Sequence, residues 1–244
     1  MSLKIGSTNI GSLYLGSTKI AQAYLGNVKV YESSVAPGIP AKTVRFDFKY
    51  DHFDPTTLVD YGGLGATWTH VEADVYDFYF NDTDWGIRRF SFGDGPLFRT
   101  YSSSSSDAPF RTHSFDILDA NLEGVTDAEQ LFGGTSFIGL QSIASIRNTS
   151  SVTNFKNFLS MGAVAAYYTS IPLFDTSSAT DVSGMFRTAR NVTTGALAMY
   201  TQMSTQANPP TSYSGCFTNC GSGNASGKAE LAQIPRSWGG TMAV

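Results

Sequence analysis

Charge is scarce in this chain. Lysine, arginine, aspartate and glutamate make up 15% of its 244 residues, against roughly 25% in an average soluble protein. Glycine, serine and threonine supply the polar share. The net charge is −4, with +2 on residues 1–33 and −6 on the rest, and no row of lysines and arginines stands out. That excludes nucleic acid as the main partner, because holding a phosphate backbone takes clustered cations. The only cysteines, Cys216 and Cys220, are too few for a disulfide framework or a four-ligand zinc site. They read as buried reduced thiols, with a local disulfide as the alternative. No apolar run approaches the ~20 residues of a membrane-spanning helix. The start, Met-Ser-Leu-Lys-Ile-Gly, is not a charged segment followed by an apolar one. The expectation is a protein made in the cytoplasm, with no signal peptide and no membrane insertion.

Catalytic signatures are missing as well. Walker, Gly-x-Gly-x-x-Gly, Gly-x-Ser-x-Gly and His-Glu-x-x-His patterns do not occur, and His52, His70 and His113 sit in no recognisable motif. Asp51-His52-Phe53-Asp54 is the densest polar cluster and reads as a strand-to-turn transition with solvated carboxylates rather than a metal site. Asn81 to Gly86 falls short of a calcium loop, since its third and fifth positions are Thr83 and Trp85. Trp68, Trp85, Tyr167 and Tyr168 read mainly as core rings, with stacking on sugars as the alternative. The expectations are no enzyme activity, no cofactor and no metal.

What the chain does have is repetition. Ile5-Gly-Ser-Thr-Asn-Ile10-Gly-Ser-Leu-Tyr14 is followed by Leu15-Gly-Ser-Thr-Lys-Ile20-Ala-Gln-Ala-Tyr24, then by Leu25-Gly-Asn-Val-Lys-Val30-Tyr31. Gly-Ser or Gly-Asn between β-branched and aromatic residues suits a two-residue hairpin turn. The spacing predicts a β-meander with strands over Thr8 to Leu15 and Thr18 to Leu25. So thin a sheet is marginal alone and exposes open edges. It must pack on its own chain, on copies of itself, or on a larger particle. Ile5, Ile10, Tyr14, Leu15, Ile20, Tyr24, Leu25 and Val30 are the candidate oligomerisation and anchor residues.

The run IGSTNIGSLYLGSTKIAQAYLGNVKVYES, residues 5–33, resembles the N-terminal repeat of tail-fibre and other virion proteins of bacteriophages. The resemblance implies a virion attachment segment, whether on a head or on a tail. It also implies assembly with itself as a homotrimer, capsid or tail proteins as partners, and a place on the outer surface of the particle.

Residues 34–42, with two prolines and a glycine, read as a linker. Val44, Phe46, Phe48 and Tyr50 then alternate with Arg45, Asp47 and Lys49 in a half-buried strand. Strands are expected over 66–71, 75–80, 87–92 and 110–117, with the five serines at 102–106 as an exposed loop, so residues 43–118 read as an antiparallel β-unit. From residue 119 a repeat of period 27 begins. Val125-Thr-Asp-Ala-Glu-Gln-Leu-Phe132 aligns with Val152-Thr-Asn-Phe-Lys-Asn-Phe-Leu159 and with Ala179-Thr-Asp-Val-Ser-Gly-Met-Phe186. Thr126, Thr153 and Thr180 are placed to cap short helices, and Ile143 to Ile146 and Ile171 to Phe174 to form short strands. A strand and a short helix every 20–29 residues is the pattern of a leucine-rich-type solenoid. Gly195 to Ser204, with Leu197, Tyr200 and Met203 in a stripe, and Ala225 to Ile234, stopped by Pro235, predict two helices.

The segment IPLFDTSSATDVSGMF, through Phe174, Asp175, Thr176, Ser177, Thr180, Asp181, Met185 and Phe186, resembles the repeat of BspA-like leucine-rich surface proteins. Arg147-Asn148 departs from the Phe-Asp of that pattern. The resemblance implies repeats over 119–190 between an N-terminal cap over 43–118 and a C-terminal cap over 191–244. The expected class is α+β and β-rich, with hairpin repeat, β cap, short solenoid and C-terminal cap in order. Taken together, the resemblances imply a phage head fibre, capsid decoration or tail-fibre component that adheres to a glycan or protein of a host or mucosal surface. A bacterial surface adhesin of the same repeat family and a polysaccharide-degrading tailspike are the alternatives. No receptor-binding residue is assigned.

Overall fold

The computed structural model describes residues 39–57, 67–79, 113–133, 139–161 and 167–242, together with short strands in the first 38 residues. The chain divides into two compact units, Met1–Ile39 and Pro40–Val244. Both are strand-rich. The described residues include two α-helices, both in the second unit, so the class is mixed α+β.

In the first unit β1 (Lys4–Ile5) pairs with β2 (Thr8–Asn9), β3 (Leu13–Leu15) with β4 (Thr18–Ile20), and β5 (Gln22–Leu25) with β6 (Val28–Glu32), all antiparallel. Ile5↔Thr8, Leu15↔Thr18 and Leu25↔Val28 close these pairs, so two residues, Gly-Ser or Gly-Asn, separate the paired ends each time. The hairpin rhythm read from the glycines is therefore in the backbone pairing. The described strands form three two-stranded pairs. Residues 10–12 and 21, which lie inside or between the expected eight-residue strands, are outside the described residues.

The second unit is organised by a six-stranded sheet with β7 (Thr43–Asp47), β8 (Thr67–Glu72), β9 (Val75–Tyr79), β10 (Phe115–Asn121), β11 (Leu140–Ile143) and β12 (Ile146–Arg147). The order is β11-β10-β7-β9-β8, with β12 also beside β10. On the β7 side all pairing is antiparallel, whereas β11 and β12 join β10 in parallel. Of the strand expected at 110–117, residues 110–112 lie outside the described residues, and β10 runs on to Asn121. Alternation along β7 sets the core: Val44, Phe46 and Phe48 are fully buried. Phe46 packs against Phe115 and Trp68 with ring centroids 5.6 and 5.5 Å apart, and Trp68 against Phe78 at 4.6 Å. The opposite face is not solvated as expected. Arg45 is buried and binds both carboxylate oxygens of Asp77 at 2.6 and 2.8 Å, directly across β9.

Beyond β10 the chain stacks in register on itself. Asp127, Asn154, Asp181 and Ser212 form a row of parallel bridges. Ala128 N–H donates to Asn154 O, Phe155 N–H to Asp181 O and Val182 N–H to Ser212 O, at 2.9, 2.8 and 2.7 Å. The apolar rows Leu131/Phe158/Met185/Cys216 and Phe132/Leu159/Phe186/Phe217 are buried between these layers. The expected short helices after Thr126, Thr153 and Thr180 are single turns instead. Their physical stop is a left-handed residue at one point in each repeat: Gln130, Asn157, Gly184 and Gly215, with φ between 54° and 65°. Turn caps come from the residue after each threonine, Asp127, Asn154 and Asp181 each accepting from the N–H two positions on at 2.8–3.0 Å. The threonine hydroxyls tie layer to layer: Thr153 donates to Thr126 O, Thr180 to Thr153 O and Thr211 to Thr180 O at 3.1–3.2 Å.

A fourth layer therefore follows the three read from the period of 27. Thr211-Ser-Tyr-Ser-Gly-Cys-Phe217 matches Thr180-Asp-Val-Ser-Gly-Met-Phe186 at a spacing of 31. The extra length holds α1 (Ala196–Thr205), and α2 (Ala225–Leu231) follows the fourth layer. Ala196, Met199 and Met203 form the buried side of α1, so the core stripe is offset from the expected Leu197 and Tyr200. Helix α2 stops short of Pro235. Gly195 has φ 99° and sits where a Cβ would lie 2.4 Å from Ile171 O, so only glycine fits before α1. It offers no side-chain cap. Glu230 of α2 supplies one, accepting from Gly195 N–H and Leu197 N–H at 3.3 and 3.1 Å.

Candidate binding site at the C-terminal end

Ile5, Tyr14, Leu15, Ile20, Tyr24, Leu25 and Val30 lie on strand backbones whose side chains are outside the described residues, and Ile10 lies wholly outside them. Residues 81–86, Trp85, the strand expected at 87–92 and the five serines are outside them too.

The polar cluster at 51–54 disperses. Asp51 accepts from Ser114 N–H at 3.2 Å and pairs with His113 Nδ1 at 2.9 Å, while the His113 ring lies flat on Phe53. His52 turns to Asp74, and Asp54 accepts from the N–H and hydroxyl of Thr56, which holds its carboxyl below the usual range. Among the described residues no three His, Cys, Asp or Glu side chains converge as metal ligands. Asp116 is the most buried carboxylate of this end. It accepts from Ser142 Oγ at 2.6 Å, Tyr50 OH at 3.2 Å and Lys49 Nζ at 2.5 Å. Three donors satisfy it, and it ties the turn after β7 to β10 and β11. Of the rings weighed for sugar stacking, Tyr168 is core and donates to Leu159 O, Trp68 packs against the core, and Tyr167 is exposed.

Cys216 and Cys220 are free and fully buried. Burial is the main cause pushing both thiols up. The sign follows: unfolded thiols ionise near ~8.5 and the folded ones do not, so this contribution to stability is intact below that pH and declines above it. In native protein at about pH 8 neither thiol is expected to react with a thiol-exchange reagent over minutes, and both react at once in denaturant. Fast labelling of native protein would contradict this burial.

The last two layers and the segment after them open two clefts. One, of about 290 Å³, is lined by Ser183, Thr211, Ser212, Tyr213, Ser214 and Ser237. The Tyr213 ring is stacked on Trp238 at 4.4 Å and 10°, and Trp238 meets Tyr200 edge-on at 5.4 Å. Hydroxyls on the walls and a half-buried phenol beside them are the chemistry that holds sugar rings. The other cleft, of about 660 Å³, is lined by Lys228, Arg236, Asn219, Ser222, Thr218 and Thr241 over Gly239 and Gly240. Adjacent residues of one turn, Arg236 and Ser237, line the two clefts.

The electrostatics of this end differ from those of the chain as a whole. Residues 182–244 hold Arg187, Arg190, Lys228 and Arg236 against Glu230 alone, a net +3 within a total of −4. Glu230 is committed to the start of α1. Lys228 and Arg236 are exposed and form no ion pair among the described residues. Sequence reasoning misses these residues because the charge of residues 34–244, taken as one body, is acidic. A charge count by repeat would have found them. No family model, curated protein or solved structure matches the chain.

Proposed function

We propose that this chain is a non-enzymatic structural protein of a bacteriophage particle, a head fibre, capsid decoration or tail-fibre component. Residues 1–33 anchor it to capsid or tail proteins and join three copies, residues 34–42 link, and the body projects as an adhesion domain. The body is a short leucine-rich-type solenoid, with an N-terminal cap over 43–118, repeats from 119, and a C-terminal cap over the remainder. We draw the repeats on past 190 to include the layer at 211–217.

One observation carries the reading: three hairpins close on Gly-Ser or Gly-Asn at intervals of ten residues. Hairpins this short are marginal alone, and closing their edges and faces takes neighbours. The body supports the rest, since its layers stack with a fixed register and end in polar clefts. Its described polar clusters each settle on separate partners. Light scattering on the full chain and on residues 34–244 tests the assembly role. The full chain is expected as a trimer and the truncated chain as a monomer. Equal protomer counts would remove the role of residues 1–33.

A further inference from the structure

We infer that the two clefts at the C-terminal end together bind an acidic glycan, with its carboxylate or sulfate between Lys228 and Arg236 and a sugar ring in the hydroxyl groove beside Tyr213. The inference rests on the reading of the body as a displayed adhesion domain and names the class of ligand it takes.

Three observations converge. Lys228 and Arg236 line one cleft with no acidic partner among the described residues, and Glu230, the only acidic side chain of residues 182–244, caps α1. An arginine fork and an ammonium group beside the side chains of Asn219, Ser222, Thr218 and Thr241 provide donors for an oxyanion. The neighbouring groove carries five aliphatic hydroxyls and Tyr213, the mixture of donors, acceptors and ring surface that a sugar needs. Because Arg236 and Ser237 are consecutive, the anionic and neutral parts of one saccharide have a wall in common. A nucleic acid is a poorer fit. The two cations of one cleft neutralise too little of a phosphate backbone.

The floor explains why the cleft is open. At Gly239, with φ 91°, a Cβ would lie 2.6 Å from Thr218 N, and at Gly240 it would lie 1.9 Å from Ile234 O. The chain after 238 is thereby drawn down onto the fourth layer, where Phe217 N–H donates to Trp238 O at 2.8 Å, leaving Arg236 at the rim.

The test uses the full chain, with chondroitin sulfate, hyaluronan, neutral dextran and single-stranded DNA as probes in biolayer interferometry. Binding to one or both acidic polysaccharides is expected, weakening as salt rises from about 0.05 to about 0.3 M as cation screening requires. Hyaluronan alone would assign the carboxylate, and chondroitin sulfate alone the sulfate. The exposed double variant Lys228→Gln/Arg236→Gln is expected to lose about tenfold or more in affinity while keeping its melting temperature. Ser237→Trp, which fills the groove, is expected to weaken both acidic glycans. Lys42→Gln removes one charge near the start of the second unit and is expected to change nothing. No binding to either acidic glycan, equal binding to dextran or DNA, or an equal loss in Lys42→Gln would each overturn the inference. Because the trimer is read by light scattering, the anchor reading can fail or survive independently.

Discussion

Replacing Arg45 by alanine is expected to destabilise the second unit by about 3 kcal/mol, the scale on which breaking a largely buried ion pair costs stability. The Arg45 side chain is 11% exposed and that of Asp77 16%. Asp119 stands opposite Arg45 on the other neighbouring strand, β10, and Arg147 of β12 reaches Asp119 at 2.8 Å. Charges therefore alternate across four strands, Asp77, Arg45, Asp119 and Arg147, so each interior charge has two opposite neighbours. Asp77 is the main cause raising the Arg45 pKa, with Asp119 adding to it. Truncating Arg45 leaves the largely buried Asp77 without its ion-pair partner and Asp119 with Arg147 alone. Truncating Arg147, 34% exposed, leaves Asp119 beside Arg45 and is expected to cost about 1 kcal/mol or less. Urea unfolding of Arg45→Ala, Arg147→Ala and the double variant separates these effects. A loss below about 1 kcal/mol for Arg45→Ala would place the pair in water rather than in the sheet.

The ladder shows how far the residues alone could be read. Alternation of Val44, Phe46 and Phe48 marked the buried face of β7, and the same alternation placed Arg45 in solvent. Burial of the second face depends on Asp77 and Asp119, 32 and 74 positions away, which no local pattern links to it. The glycines at 6, 16 and 26 announced the hairpin pairs because a two-residue loop constrains its own neighbours. The signature of a threonine before Asp or Asn at 126, 153 and 180 misleads, since it reads equally as a helix start or as an Asx turn. Gly184 and Gly215 carried the resolving signal, a left-handed stop, but Gln130 and Asn157 occupy that position in the earlier layers and hide it. The clefts draw on residues 183, 211–214 and 218–241, which become neighbours only when the third and fourth layers stack.

The fourth layer makes the second large prediction. Phe186→Ala is expected to destabilise the body by about 4 kcal/mol, the range for deleting a fully buried aromatic ring. Phe186 is fully buried and stacked on Phe217 at 5.4 Å and 19°. Its N–H donates to Cys216 O, and Thr188 N–H to Thr218 O, so the ring sits at the seam between the third and fourth layers. A layered stack is stabilised by nearest-neighbour seams. Loss at this seam therefore falls on the C-terminal side, where Cys216, Cys220 and both clefts lie. In hydrogen exchange, amides of 211–242 are expected to lose protection in Phe186→Ala before those of β7 and β10. The two thiols should become reactive in the same range of denaturant. Phe46→Ala, in the sheet core, carries a similar cost and is expected to expose β7 and β10 first. If the two variants lost protection uniformly and together, the second unit would be one cooperative block. Faster exchange at β7 than at 211–242 in Phe186→Ala would remove residues 211–217 from the stack altogether.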